Sequence, residues 1–252
     1  MRILLFQPIL CAMVALCFFA GGTGVARSAE TDKFAVLVFS KTAAYRHDSI
    51  PAGIEAIRAL GENNGFAVDA TEDDKAFTDE RLSKYREVIF LSTTGEVLDT
   101  DERAAFERFV RHGGGFVGIH SASDTGYEWP WYGRLVGNYF RQHPSIQSAK
   151  LEVVDASHPS TRDLPIDWTR VDEWYDFRND LAPDISVLIL IDERTYRGGS
   201  MGARHPMAWC HEYDGGRAWY TALGHTDAAY SEPLFLEHIR GGILWAAGMA
   251  PK

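Results

Sequence analysis

The sequence predicts an α/β fold built on one doubly wound sheet with a parallel core, and three observations carry that expectation. Apolar runs of strand length, FAVLVFS (34–40), VIFLSTT (88–94) and GFVGIH (115–120), each close on polar residues, at Ser40, Thr93 and His120. Segments with helical periodicity lie between them, the rhythm of parallel strands buried on both faces. The second half instead runs strand after strand without a long helical segment, which predicts antiparallel pairing along one edge of the same sheet.

Taken in order, residues 1–26 have one charge (Arg2), an apolar run from Ile9 to Ala20 and a small-residue tail. That is the layout of a cleaved secretory leader, with the cut after Ala26 or as late as Ala29. Pro8 and the shortness of the run argue against a stable membrane anchor, so an exported, periplasmic or extracellular protein is expected. A single domain over 34–248 follows. Its first strand leads into a helix over 49–65, with Ser49 as cap, Pro51 in the first turn and NNG as the stop. A weak second strand (66–73), the third strand and a helix over 100–115 precede the fourth strand. Strands are then expected at 149–156, 168–177, 187–196, 206–214 and 216–226, with GG at 215–216 turning the last hairpin. An amphipathic helix over 232–248 closes the chain.

Composition narrows the function. A formal net charge of −10, with no stripe of Lys and Arg, excludes nucleic acid as a natural partner. No G-x-G-x-x-G opens a helix after the first strand and no G-x-x-x-x-G-K-[ST] occurs, so no nucleotide cofactor is expected. Once the leader is removed Cys210 is the only cysteine, which leaves no internal disulfide. Cys210 lies inside a strand and reads as a small core residue.

In open α/β sheets ligands bind outside the carboxyl ends of the strands. Here those ends carry Arg46 and His47, then Thr93, then His120 and Ser121 with Asp124 behind, and finally His225. Three of the four bring a histidine, the side chain best suited to hold a proton or a metal near neutral pH. His120 and His225 with Asp124 are the candidate catalytic groups. His47, His120 and His225 are candidate ligands for a divalent metal such as zinc, assembled from distant loops because no short ligand spacing exists. Arg46, Thr93 and Ser121 are candidate substrate contacts, and Asp172, Glu173 or Asp176 could supply a carboxylate near the mouth. Trp129 joins the substrate contacts because YEWPWYGRLVGNYF (127–140) sets aromatic faces beside Glu128 and Arg134, as a sugar site would. The structural alternative is that these rings pack into the core. His112 suits a helix C-terminus, while His143, His158 and His205, each before a proline, read as turn residues.

RHDSI, GGGFVGIHSASDT, DEWYDFRND and the stretch from HPMAWCHEYDGG to LWAAG together resemble the ThuA-like (trehalose utilisation) family, from about Phe34 to Gly248. The resemblance implies a class I glutamine-amidotransferase-like, flavodoxin-type sandwich, and a site at His47, His120 and His225 with Asp124 and Glu173. In amidotransferases the turn after the fourth strand holds a catalytic cysteine. His120 fills that place here, so thiolate hydrolysis of glutamine is excluded. The family's association with sugar oxidoreductases implies a small-molecule sugar substrate, and an enzyme cleaving 3-keto-glycosides or disaccharides by acid/base chemistry. The alternatives are a sugar-binding accessory module without catalysis and a hydrolase using Ser121.

Overall fold

The computed structural model describes residues 34–250; the expected leader and its cleavage site lie outside them. Strand β1 (Phe34–Phe39) runs into helix α1 (Ile50–Asn64), and β2 (Phe66–Thr71) follows. Ser49 sits at the N-cap of α1 without capping it, its hydroxyl reaching Gly224 O instead (3.4 Å). Next come α2 (Asp79–Leu82), a four-residue helix the sequence pattern did not show, and β3 (Glu87–Leu91). Helix α3 (Thr100–Arg111) starts at a capping box: Asp99 accepts from the Asp101 and Glu102 amides while Glu102 accepts from Asp99 N. Strand β4 (Gly115–Ile119) and helix α4 (Pro130–Val136) complete the first half.

The expected strand over 168–177 is broken into two pieces. Short β5 (Phe140–Gln142) leads to β6 (Gln147–Val153) and β7 (Asp167–Asp172), and then β8 (Asp176–Phe177) leaves the main sheet to pair with β5. Strands β9 (Ser186–Ile191), β10 (Pro206–Tyr213) and β11 (Gly216–Thr221) precede α5 (Pro233–Ala246). The nine-stranded sheet has the order β2-β1-β3-β4-β11-β10-β9-β6-β7.

Parallel pairing covers β2, β1, β3, β4 and also β11. The last strand therefore belongs to the parallel core rather than to the antiparallel edge. The β10–β11 hairpin turns on Asp214 and Gly215, both at positive φ (49° and 97°), one residue earlier than GG suggested. That is the φ pattern of a type I′ turn, whose twist matches the flanking strands. Because Thr221 stands beside Ile119 and Leu91 on its other side, the carboxyl ends of β11, β4 and β3 finish level.

Helix α5 packs on β11 through a buried polar pin. His238 Nδ1 donates to Ser160 O (2.8 Å), and its Nε2 accepts from Thr221 Oγ1 (3.2 Å). Burial holds this imidazole neutral, down at about 3 rather than 6.5. The unfolded chain takes up the proton below about pH 6.5, so the contribution of His238 is complete above that pH and is lost as pH falls from about 6.5 towards 3. Denaturant unfolding should show this group adding a slope of about 1.4 kcal/mol per pH unit in that window. His238→Gln should flatten the stability profile by one proton, and an unchanged slope would refute the assignment.

Candidate functional site at the carboxyl ends of the sheet

The level strand ends build the site. His120 is the first residue past β4 and takes the left-handed conformation (φ 53°), which turns its ring into the crevice. His120 Nδ1 donates to Ala222 O, one residue past β11 (2.8 Å), so in the neutral ring Nε2 carries the free lone pair. Around that nitrogen stand His47 Nε2 (3.1 Å), His225 Nδ1 (3.1 Å), Tyr175 Oη (3.1 Å) and Glu173 Oε2 (3.6 Å). Glu173 Oε2 is also 3.2 Å from His225 Nδ1, and its other oxygen is 3.0 Å from His143 Nδ1.

Each ring is held from behind. The loop carrying His47 is tied down by Ala43 N donating to Thr94 O (2.7 Å) and Thr94 Oγ1 donating to Tyr45 O (2.8 Å). Ser121 Oγ lies 3.3 Å from His47 Nδ1. Burial, reinforced by the neighbouring His120 and His225, pulls His47 down to about 3, so it is neutral. Burial alone would raise Glu173, but hydrogen bonding and charge from His120 and His225 outweigh it and hold the carboxyl well below the usual range. His225 is shifted upward because Glu173 more than offsets its burial. Single donor atoms from His47, His120, His225 and Glu173 all lie within 4.8 Å of one another.

His47, His225 and Glu173 line a cavity of about 400 Å³ together with Tyr45, Asp124, Phe140, His143 and Tyr175, and His120 lies buried behind them. Asp124 accepts from Tyr127 Oη (2.6 Å), and burial raises its carboxyl above the ordinary value. The larger hollow near Tyr85, Arg108 and Phe109 (about 470 Å³) adjoins the amino ends of β3 and β4 and holds none of these groups.

The ThuA (trehalose utilisation) family profile matches residues 35–246. The chain belongs to the ThuA family. No curated protein matches this ThuA chain. Among solved structures it is similar to a ThuA-like protein from Bacteroides uniformis (24% identity, 88% of this chain and 94% of that one, TM-score 0.73). A ThuA-like protein from Parabacteroides merdae is comparable (21%, 87% and 92%, TM-score 0.72). A β-galactosidase from Bacillus circulans sp. alkalophilus matches at 15% over 88% of this chain but 32% of its own length (TM-score 0.58). At these identities the likeness is one of fold.

Of the residues expected at the site, this ThuA chain brings together His47, His120, His225, Glu173 and Asp124. Four others are placed elsewhere. Arg46 turns to the surface and pairs with Glu72 (2.7 Å), because its neighbour His47 takes the inward direction. Thr93 is buried, with its hydroxyl 2.8 Å from Thr125 Oγ1, a lock between two loops. Ser121 is fully buried against His47 rather than open to the cavity, which removes the geometry of a serine nucleophile. Trp129 packs against Tyr132 and Phe106 (ring centroids 5.3 and 6.2 Å) and donates to Glu107 (2.9 Å), the core role set against the sugar-binding one.

No site role is read from sequence for Tyr175, His143 or Phe140, and Tyr45 is placed at the mouth beside Arg46 and His47 without a role. His143 reads from sequence as a turn residue because of the proline after it, yet its Nδ1 stands 3.0 Å from Glu173. His205, also set aside as a turn residue, is fully buried: its Nε2 donates to Tyr175 O (2.8 Å) and its Nδ1 faces Glu193 (2.9 Å). With Asp176 it forms a second group of metal-ligand type. Asp176 there is already bonded by Ser200, Gln142 and Arg141, so these residues latch β8 and with it Tyr175. Trp129→Ala should cost about 3–5 kcal/mol of unfolding free energy, as for other buried aromatics. A urea titration showing less than 1 kcal/mol would return Trp129 to the list of ligand contacts.

Proposed function

We propose that this ThuA chain is an exported enzyme acting on a sugar, cleaving oxidised (3-keto-) glycosides at a divalent metal centre held by His47, His120, His225 and Glu173. One observation carries the reading. A tetrahedral zinc ion with bonds of about 2.0–2.1 Å sets its ligands about 3.3 Å apart. The donor separations in the fold are 3.1, 3.1, 3.2 and 3.6 Å around His120 and Glu173. His120 Nδ1 is committed to a backbone carbonyl, as metal-bound imidazoles usually are. The neutral His47 and the anionic Glu173 are in the states a cation requires.

A bound divalent ion would supply a Lewis acid for a ketone oxygen. The chain's own residues supply the rest. With the three imidazoles engaged as ligands, Asp124 is the carboxylate free on the cavity wall, and its raised basicity suits it to take the acidic proton on C2 of a 3-keto sugar. The C2–H electron pair moves into the C1–C2 bond as the C1–O bond breaks, and the glycosidic oxygen leaves with that bond's electrons. Tyr45, Phe140 and Tyr175 present ring faces on which the C–H surface of a pyranose can pack. The association of the family with trehalose utilisation supports a sugar as substrate, and the leader-like residues 1–26 support export.

Two measurements test this. Elemental analysis and Zn²⁺ titration of the purified protein should give one ion per chain, with affinity lowered more than about tenfold (over 1.4 kcal/mol) in His225→Ala and Glu173→Gln. Uptake indifferent to both changes would sink the metal centre. With 3-keto-trehalose or a 3-keto-glucoside as substrate, Asp124→Asn should retain the ion and lose about 10²- to 10⁴-fold in rate. Wild-type protein that leaves both keto and unmodified glycosides intact would overturn the enzymatic assignment.

A further inference from the structure

Asp172 is fully buried, beside the site but facing away from the cavity. Four donors converge on its two oxygens. Oδ1 accepts from Glu173 N (2.9 Å) and His225 N (3.1 Å), and Oδ2 accepts from Gly224 N (2.9 Å) and Arg170 Nη2 (3.0 Å). The Arg170 guanidinium is buried between the rings of Trp168 (4.9 Å) and Phe235 (4.6 Å), and its Nη2 also approaches Glu232 (3.4 Å). The charge of Asp172 is thereby matched without recourse to the site.

We infer that Asp172 is a positioning residue that sets three of the four convergent side chains at once. It fixes Glu173 and His225 through their own amides. It fixes His120 through the short 222–225 loop, since Ala222 O, three residues before His225, is the acceptor that orients the His120 ring. Gly224 makes this possible, for its φ of 108° turns two successive amides towards one carboxylate. Two β-strands and a loop distant in sequence are thus registered to a single anion.

Only an acceptor on both sides can serve all four donors. In Asp172→Asn the amide NH₂ must face one pair of N–H groups, so the loop or the Glu173 amide has to move. The metal arm of the inference rests on the function proposed above, whereas the orientation of His120 does not. In full-length Asp172→Asn, Co²⁺ titration should show affinity weakened by about 10- to 100-fold with an altered visible spectrum. Imidazole ¹⁵N–¹H spectra of the metal-free protein should show His120 as a mixture of tautomers where the wild type has only Nδ1–H. Far-UV circular dichroism should be unchanged. A folded Asp172→Asn protein with wild-type Co²⁺ affinity, spectrum and a single His120 tautomer overturns the inference. Should the wild type take up no Co²⁺, the metal reading fails while the tautomer result still decides the role of Asp172. If Asp172→Asn does not fold, amide exchange in the wild type decides instead: Glu173, Gly224 and His225 should open together at one protected rate, and unrelated rates overturn the inference.

Discussion

The left-handed backbone at His120 is the constraint from which the site follows. An L-residue pays about 1–2 kcal/mol to stand there, and His120 does so where β4 breaks into a 3-10 turn (His120–Asp124). The strain persists because parallel neighbours hold both sides of it. Ser92 N donates to Ile119 O (3.1 Å), Tyr220 Oη donates to His120 O (2.8 Å), and Ala222 O accepts from the ring Nδ1–H. Were β11 antiparallel to β4, its carboxyl end would lie at the far side of the sheet, and neither Ala222 nor His225 could reach His120. The direction of one strand therefore decides whether a histidine cluster exists at all.

Crowding three imidazoles into one crevice is electrostatically tolerable only if few of them are charged. Ring centroids of His47, His120 and His225 lie 4.7 to 5.1 Å apart, and two unit charges at such a distance repel strongly where water is scarce. Burial keeps His47 neutral, and the single carboxylate inside the cluster, Glu173, balances the upward-shifted His225. Behind them the buried ion pair of Asp172 and Arg170 closes on itself. The crevice therefore holds one neutral imidazole, His47, beside one carboxylate, Glu173, with His225 drawn towards that carboxylate.

The parallel core was legible because buried strands write themselves as unbroken apolar runs, and the helices between them carry stop signals such as NNG after Ala59 and Leu60. The convergence of His47 and His120 was legible for the same reason, since the polar residue closing each buried run marks the mouth, and His225 was placed there as the polar end of the last strand. The direction of β11 was not legible, since a short apolar strand reads identically whichever way it pairs. Nor were Arg46 and Ser121 separable from their neighbours. Arg46 and His47 are adjacent in an irregular loop without a period to say which points inward, and Ser121 was judged by the residue type a nucleophile needs rather than by its burial. Trp129 was open between core and ligand, and contacts from α3, remote in sequence, settle it.

The segment DEWYDF (172–177) shows how much of the remainder lay in phase rather than composition. Three carboxylates stand there, and residue type alone offers no choice among them. Along β7 burial alternates, with Trp168, Arg170 and Asp172 inward and Asp167, Thr169 and Val171 outward. The even parity continues past the strand's end: Trp174 donates to Gln147 O (2.9 Å) and Asp176 is gripped by Gln142 and Ser200. Glu173 and Tyr175, on odd parity, both meet His120. Trp168 and Trp174 are large apolar residues of one parity, so they fix which positions face the packed side. The carboxylate of opposite parity is then the one free to enter the crevice. Period-two reasoning applied through the break between β7 and β8 would have separated Glu173 from Asp172 and Asp176, and would have brought Tyr175 in with it.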